Sequence, residues 1–158
     1  MERQKGIDVL FNPRSIAVVG ASATRGKLGN DVLRNLIESG FEGRIYPVNP
    51  RGGEILGQKV YRSVSEIANN VDVGIIVIPA KYVLAIVEEC GKKGLKALVI
   101  ITAGFKEIGH EGQEAEKKLG ELAEKYEMVI QGPNCLGIIN TSAPYNGSFS
   151  AGTPAKWA

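Results

Sequence analysis

The sequence is poor in the residue types that hold metals or form disulfides. Its 158 residues include two cysteines and one histidine. Cys90 and Cys135 form no C-x-x-C pair, and together with His110 they match no familiar zinc-site spacing. Two cysteines also provide no disulfide framework. The sequence therefore predicts a fold without metal chemistry, stabilised by its apolar core.

Long hydrophobic runs and an excess of one charge are also absent. No apolar run approaches the ~20 residues of a membrane-spanning helix, and the first residues, MERQKGIDVLF, are too polar for a signal peptide. With 19 basic and 17 acidic residues the formal charge is +2, which gives no indication of a nucleic-acid surface. We therefore expect a cytoplasmic chain that has neither a membrane nor a nucleic acid as its partner.

Two familiar nucleotide-binding fingerprints are missing from the most informative segment, residues 15–30 (SIAVVGASATRGKLGN). Counted from Gly20, the dinucleotide pattern G-x-G-x-x-G requires glycine where the chain has Ser22 and Arg25. A Walker A loop requires four residues between its glycines and a serine or threonine after its lysine. Here five residues separate the glycines, and leucine follows the lysine. The usual NAD loop and the kinase or GTPase loop are therefore disfavoured.

What this segment does contain is a strand, a loop of small residues and the start of a helix. Four apolar residues, 16–19, lead into Gly20, and helical periodicity begins at Leu28. The small side chains of residues 21–23 let an anionic ligand approach backbone N–H groups at the positive end of the helix, where Lys27 adds a cation. The segment predicts a Rossmann-type loop for an anion. A strand-to-helix turn without a ligand is the alternative.

Apolar runs and helical repeats alternate along the chain, whose length suits one domain that buries roughly two-thirds of its unfolded surface. The alternation predicts a single Rossmann-like α/β domain over residues 1–131, with a doubly wound parallel sheet. Residues 132–158 are short of apolar residues and are expected to be a linker or tail, or the start of a truncated second domain. The expected strands are 16–19, 44–48, 59–61, 73–78, 97–101 and 128–130, and the expected helical segments are 7–11, 28–39, 64–68, 82–90 and 114–126.

The order of these strands decides where a ligand would bind. If residues 59–61 form the third strand, the order 3-2-1-4-5-6 sets the strand before Gly20 beside the strand that ends at Ile78. Ligands of such sheets bind at the carboxyl ends of the strands, at this switch point. The turns predicted to line that edge are 20–22, 49–51, 79–80, 102–104 and 132–134.

Five segments of the chain resemble, in the same order, segments of a known protein family: IAVVGAS…GKLGN, YPVNPRGGEILG, VDVGIIVIPA, ITAGFKE and GPNCLGIIN. They resemble the N-terminal CoA-binding domain of the NDP-forming acyl-CoA synthetases. The similarity is greatest to the α subunit of archaeal ADP-forming acetyl-CoA synthetase, and it is more distant to the α subunit of succinyl-CoA synthetase. The resemblance covers nearly all of residues 7–141. It implies that the chain is part of an acid–thiol ligase.

The resemblance also implies a binding site for coenzyme A or acyl-CoA. The diphosphate is expected at the glycine loop, the pantetheine arm along residues 78–80 and 102–104, and the thiol end near Asn134. At residues 49–51 the sequence itself favours a phosphorylated ribose, since Asn-Pro-Arg replaces the acidic residue of an NAD site. The expected cofactor-binding residues are Gly20, Ala21, Ser22, Gly26, Lys27, Leu28, Gly29, Asn49, Pro50, Arg51, Ile78, Pro79, Ala80, Thr102, Ala103, Gly104 and Asn134.

The family's reaction converts acyl-CoA, ADP and phosphate to acid, CoA and ATP through a phosphorylated histidine in a domain that follows the GPNC motif. His110 lies outside any such motif and is expected to be a solvated loop residue, while Cys90 and Cys135 are expected to be structural. Glu107 either caps a loop near the ligand or is a surface carboxylate. We expect no catalytic residue in this chain, which would be inactive without the remaining synthetase domains and an ATP-grasp β subunit.

Two other functions stay open from the sequence. One is a stand-alone CoA-binding regulatory module. The other is an NADP-binding oxidoreductase domain, which the missing G-x-G-x-x-G pattern disfavours. The acyl specificity cannot be read from these residues, and homo-oligomer formation is left open.

Overall fold

The computed structural model describes residues 2–152, with the side chains of residues 4–152. Strands and helices alternate over most of the chain, as its apolar pattern predicts. In chain order the elements are α1 (Glu2–Phe11), β1 (Ser15–Val19), α2 (Leu28–Glu38), β2 (Arg44–Val48), β3 (Glu54–Ile55), β4 (Gln58–Lys59), β5 (Val73–Ile76), α3 (Ala80–Lys93), β6 (Ala97–Ile100), a 3-10 turn (Lys106–Ile108), α4 (His110–Lys125), β7 (Val129–Gln131), β8 (Gly137–Asn140) and β9 (Tyr145–Ser148).

The central sheet has five parallel strands in the order β2-β1-β5-β6-β7. β1 pairs with β2 through Ile16 opposite Ile45, and with β5 through Ile16 opposite Val73. The three central strands are buried along their whole length, because other elements cover both faces of the sheet. The predicted doubly wound α/β fold is confirmed, and so is the position of β1 beside β5.

The third sheet strand expected at residues 59–61 is reduced to its last residue. β3 and β4 form a short antiparallel hairpin, and the segment that follows reaches the sheet at Tyr61, which forms a parallel bridge with Val48. Leu56 and Gly57 both have positive φ, 50° and 77°, and form the two-residue turn that closes the hairpin. Lys59 pairs within the hairpin, so of the expected strand only Tyr61 joins the sheet, at the edge beside β2.

Side chains that alternate along each strand divide the core into two parts. One face of the sheet is covered by α1, α2 and the β8–β9 hairpin, and the other by α3, α4 and residues 64–71. Val18 and Ile75 belong to the first core, whereas their neighbours Val19 and Ile76 belong to the second. These two cores hold the strand ends, and the loops that follow them, in fixed relative positions.

Three of the helices are longer than their apolar repeats predict, whereas residues 64–68 form only a turn. α1 is a helix of 10 residues rather than a short turn at 7–11, and α3 continues until Gly94, with a φ of 96°, ends it. α4 begins at His110, so this exposed residue lies in the first turn of a helix and not in a loop. The additional helical residues are mainly polar, so the sequence shows no apolar periodicity over them. Within the described residues, no helix is long and apolar enough to cross a membrane.

The segment after β7 packs on the first face of the sheet. β8 and β9 form an antiparallel hairpin, and Tyr145, the first residue of β9, is 1% exposed. Asn35 of α2 donates from Nδ2 to the carbonyl oxygens of Ser148 and Ser150, at 2.8 and 3.0 Å. Small and polar residues therefore build this hairpin, and for that reason the sequence pattern did not predict it.

The division between residues 1–131 and 132–158 stays a prediction. The β8–β9 hairpin lies in the second of these ranges and packs against the elements of the first. Residues 153–158 of the expected tail lie outside the described residues.

Candidate functional site

Loops leave the carboxyl ends of the five parallel strands and meet at one edge of the sheet, here called the carboxyl edge. Because β1 and β5 are neighbours, the loops that follow them lie side by side at the switch point of the strand order. Each residue predicted to bind a cofactor falls in one of these loops or in the first turn of the helix that follows. The loops are residues 20–27, 49–53, 77–79, 101–105 and 132–136.

The loop after β1, here called the glycine loop, requires glycine where it leaves the strand and where the helix begins. Gly20 has a φ of 99°, and a side chain there would collide with the carbonyl group of Val77. A side chain on Gly29, in the first turn of α2, would collide with the carbonyl group of Gly20. The N-terminus of α2 therefore lies directly against the end of β1 and opens on the loop.

The backbone of the glycine loop leaves a group of N–H donors unbonded. The amides of Gly20 and Ala21 both donate to the carbonyl oxygen of Val48, at 3.0 and 3.3 Å. The amide of Lys27 donates to the carbonyl oxygen of Thr24 at 3.2 Å. In the part of the chain that the structure describes, no hydrogen bond is formed by the backbone amides of Ser22, Ala23, Arg25, Gly26, Leu28 and Gly29. Such donors at a helix N-terminus are suited to a phosphate group.

Cations surround these open amides. Arg25 and Lys27 in the glycine loop and Arg51 after β2 are all exposed. Lys27 is the N-cap residue of α2, with φ −80° and ψ 142°, and its side chain makes no capping hydrogen bond. Between residues 4 and 152, none of the three forms an ion pair. The charge at this part of the edge is therefore positive and available to a ligand.

The loop after β2 is tied to the glycine loop by Asn49. Its Nδ2 donates to the carbonyl oxygen of Ala21 at 2.9 Å, and its Oδ1 accepts the N–H of Arg51, also at 2.9 Å. Pro50 and Arg51 are exposed beyond this contact. The predicted binding residue Asn49 therefore has both polar atoms bonded to the protein, whereas Arg51 extends into solvent.

Sequence reasoning missed Asn30, which holds the glycine loop from the other side. Asn30 lies in the first turn of α2 and is 2% exposed. Its Nδ2 donates to the carbonyl oxygen of Ser22 at 2.9 Å, and its Oδ1 accepts a hydrogen bond from the Arg34 guanidinium. The available signal was an amide side chain inside an apolar helix face, since a buried amide requires partners.

The loops after β5 and β6 are joined by Thr102. Its hydroxyl donates to the carbonyl oxygen of Ile78 at 2.7 Å and accepts the N–H of the same residue at 3.2 Å. Ala103 is exposed, and Gly104, with a φ of 102°, packs against Ala80 at the start of α3. The Thr102 hydroxyl is therefore used within the protein, and what this region presents to a ligand is small side chains and backbone.

A carboxylate caps the loop after β6. Glu107, in the 3-10 turn Lys106–Ile108, accepts the N–H groups of Gly104 and Phe105, the second at 3.1 Å. These hydrogen bonds, above all the one from Gly104, lower the pKa of the Glu107 carboxyl. Of the two roles that the sequence leaves open for Glu107, the structure supports the loop cap.

The loop after β7 completes the edge. Asn134, with a φ of 58°, donates its N–H to the carbonyl oxygen of Thr102 at 3.0 Å. The Cys135 thiol donates to the carbonyl oxygen of Ile100 at 3.3 Å, and burial raises its pKa. Cys90 lies in the core, where burial raises the pKa of its thiol to about 12. Both thiols are therefore mainly protonated at neutral pH and are weak nucleophiles.

A second concave surface lies away from the carboxyl-edge cations. A groove of about 700 Å³ runs along the outside of β7, between α1 and α4. Glu116, Glu124 and Glu127 line it together with apolar side chains. Carboxylates at this density repel a polyanion, so the glycine loop is the better site for a phosphorylated ligand.

Comparison with known proteins gives close relatives of much greater length. Residues 14–141 match the family described as CoA binding domain. Over 147 residues the chain is 52% identical to subunit alpha of ADP-forming acetate–CoA ligase I from Pyrococcus furiosus. The aligned region covers 90% of this chain and 32% of that subunit. The chain thus spans about a third of the length of this subunit and of subunit alpha of the second Pyrococcus furiosus ligase.

Solved structures of other proteins contain a similar domain. The dinucleotide-forming acetyl-coenzyme A synthetase 1 of Ca. Korarchaeum cryptofilum, solved in complex with phosphate and ADP, matches with a TM-score of 0.88 at 43% identity, over 92% of this chain and 31% of that one. A conserved hypothetical protein from Pyrococcus furiosus matches with a TM-score of 0.60 at 36% identity, over 74% of this chain and 90% of that one. Since the family match extends from the residue before β1 to the residue after β8, the chain belongs to the CoA binding domain family.

Proposed function

We propose that this chain is the CoA-binding part of an ADP-forming acyl-CoA synthetase and that it binds CoA or acyl-CoA across the carboxyl edge. The observation that carries the proposal is the glycine loop, whose unbonded amides lie at the N-terminus of α2 between exposed cations. A diphosphate fits this arrangement, because it accepts several N–H groups at once and carries the opposite charge. The small side chains of residues 21–23 leave room for its approach.

The carboxyl edge has two parts, here called the anion half and the neutral half. The anion half consists of residues 20–29 and 49–51, where the open amides and the cations lie. The neutral half consists of residues 78–80, 102–104 and 132–135, which include no charged side chain and are joined to one another through Thr102. In the proposed complex the nucleotide phosphates contact the anion half, and the pantetheine arm contacts the neutral half with its thiol end near Asn134.

When bound, CoA would supply the thiol that carries the acyl group. The residues of this chain would bind and orient it: the loop amides and Lys27 hold the diphosphate, and Arg51 lies beside the ribose phosphate. Neither cysteine is suited to act on the ligand, since burial raises the pKa of both thiols. The chain alone is therefore proposed to bind CoA without turning it over.

The remaining steps are assigned to partners. Relatives such as subunit alpha of the Pyrococcus furiosus ligase are about three times longer than this chain. We propose that phosphate transfer requires those further domains and an ATP-grasp β subunit, and that His110 takes no part in it. A cytoplasmic location belongs to the same proposal.

A second function, a stand-alone CoA-binding module, is favoured by one observation. The conserved hypothetical protein from Pyrococcus furiosus is 36% identical, and this chain covers 90% of it, so a relative of similar size exists without the additional domains. Addition of the remaining synthetase domains separates the two functions. Catalysis of acetyl-CoA turnover by the mixture supports the first, and CoA binding without turnover supports the second.

The binding proposal itself is tested by thermal stabilisation with CoA, dephospho-CoA, NADP and ADP in parallel. A ligand at ~100 times its Kd adds about 2.7 kcal/mol to the free energy of unfolding. We expect a rise in melting temperature with CoA that is smaller with dephospho-CoA, because the 3′-phosphate is then missing. A rise with NADP alone would contradict the proposal and favour an oxidoreductase domain.

A further inference from the structure

Two asparagine side chains hold consecutive peptide groups of the glycine loop. Asn49 Nδ2 donates to the carbonyl oxygen of Ala21, and Asn30 Nδ2 donates to the carbonyl oxygen of Ser22, both at 2.9 Å. In a planar trans peptide the C=O and N–H groups point in opposite directions. The carbonyl of Ala21 shares its peptide group with the N–H of Ser22, and the carbonyl of Ser22 shares its own with the N–H of Ala23. Each asparagine therefore fixes the direction of one N–H.

The orientation of each asparagine amide is itself fixed by a second contact. The Oδ1 of Asn49 accepts the N–H of Arg51 at 2.9 Å, and the Oδ1 of Asn30 accepts a hydrogen bond from the Arg34 guanidinium. Both partners are donors only. Neither amide can therefore turn over, and Nδ2 of each remains directed at its loop carbonyl.

The two N–H groups that these contacts orient are among the donors that have no hydrogen-bond partner in the described chain. Ser22 is half-buried and Ala23 is exposed. The peptide groups of a short loop can adopt many orientations. If a ligand binds only one of them, the entropy cost of fixing that orientation weakens binding. Two side-chain contacts that select it in advance raise the affinity without touching the ligand.

We infer that Asn30 and Asn49 are positioning residues for the phosphate-binding amides of the glycine loop. This inference rests on the proposed function, because it concerns the same site. It assigns Asn30 a role, and it changes the role of Asn49 from contact with the ligand to an action through the peptide group of Ser22.

Substitutions that remove the donor, alone in Asn49→Asp and together with the acceptor in Asn49→Leu, test this inference in CoA binding. Asn49→Asp keeps the oxygen that accepts the Arg51 N–H and loses the group that donates to Ala21. Asn49→Leu loses the donor without adding a charge. We expect both to weaken CoA binding about tenfold relative to wild type. The matched control is Asn69→Asp, which makes the same change where Nδ2 donates to the Tyr46 hydroxyl, away from the loop.

A pH series separates positioning from a general loss of structure. A protonated carboxyl group donates a hydrogen bond, so the Kd of Asn49→Asp should approach that of wild type as the pH falls toward about 4, whereas that of Asn49→Leu should not. The ratio to wild type at each pH removes the titration of CoA itself. Weakening in the Asp variant alone would overturn the inference, because charge and not the lost donor would then be responsible. Equal affinity of Asn49→Leu and wild type would also overturn it.

A second probe keeps the inference separate from the proposed function. In wild type, inorganic pyrophosphate should shift the backbone amide resonances of Ser22 and Ala23. The Ser22 shift should be lost in Asn49→Leu, and the Ala23 shift should be lost in Asn30→Asp. If wild type binds no CoA, the proposed function fails, and this titration still decides on the positioning role. Unchanged shifts in both variants, or no shift in wild type, would overturn it.

Discussion

The two halves of the carboxyl edge differ in the charge that lies beside their backbone amides. In the anion half the amides of Ser22, Ala23 and Gly26 have no partner within residues 2–152. In the neutral half Gly104 donates to Glu107 and Asn134 to a carbonyl oxygen, while within residues 2–152 the amides of Thr102 and Ala103 also have no partner. The neutral half includes no charged side chain, whereas exposed cations lie in the anion half. One end of the sheet edge therefore combines open donors with cations, and the other end presents backbone groups and small, uncharged side chains. An asymmetric ligand with charge at one end fits this edge in one direction.

The largest effect is expected from Gly29→Ala, which breaks the anion half. The added Cβ would collide with the carbonyl group of Gly20 and push α2 away from the loop. We expect CoA binding to be lost and the free energy of unfolding to fall by about 1–3 kcal/mol, as in other overpacked sites. Calorimetric titration and urea denaturation measure the two effects.

The matched control is Gly120→Ala in α4, where a Cβ meets no atom within 4 Å. Since alanine favours a helix, this variant should be stabilised by up to about 1 kcal/mol and should bind CoA as wild type does. Equal CoA affinity of Gly29→Ala and Gly120→Ala would contradict the assignment of the anion half.

A smaller effect is expected when cations are removed from the anion half. Lys27→Ala and Arg51→Ala should each weaken CoA binding several-fold, with little change in melting temperature, since both side chains are exposed. The loss of affinity should be smaller at high salt, because salt already screens the attraction between these cations and the phosphates. Titrations at low and high ionic strength measure it, with Lys117→Ala on α4 as the control. A loss that does not depend on salt would argue against an electrostatic role.

The smallest effect is expected from Glu107→Gln, which weakens the network of the neutral half. Because hydrogen bonds lower the pKa of the Glu107 carboxyl in the folded chain, its contribution to stability is present at neutral pH. This contribution is lost as the pH falls through the folded-state pKa, below the ordinary range of a glutamate. The difference in melting temperature between wild type and Glu107→Gln should therefore be small at pH 7 and vanish in acid. A difference in melting temperature that grows on acidification would show that the pKa of Glu107 is shifted in the opposite direction.

The sequence predicted where the loops of the candidate site lie better than it predicted the contacts within them. Apolar runs such as 73–76, buried on both sides, identify parallel strands, and their carboxyl ends place the loops at one edge without further information. The sequence also predicted the start of α2 at Leu28 and its end before Gly40, because periodicity and glycine conformation are local properties.

What the sequence could not show depends on contacts between distant residues. Asn30 looks like any polar residue of a helix, and its role comes from a carbonyl group eight residues earlier. The β8–β9 hairpin is short of apolar residues, yet the aromatic ring of Tyr145 and the hydrogen bonds of Asn35 bring it into the core. The β3–β4 hairpin closes through Leu56 with positive φ, which residue type alone does not predict.

The most direct test of the two-half account is a set of amide chemical-shift titrations with adenosine 3′,5′-bisphosphate and with pantetheine, each compared with CoA. We expect the bisphosphate to shift the amide resonances of Ser22, Ala23 and Gly26, and pantetheine to shift those of Ala103 and Asn134. CoA should shift both sets. Shifts of the neutral half by the bisphosphate, with the glycine loop unaffected, would contradict the two-half account.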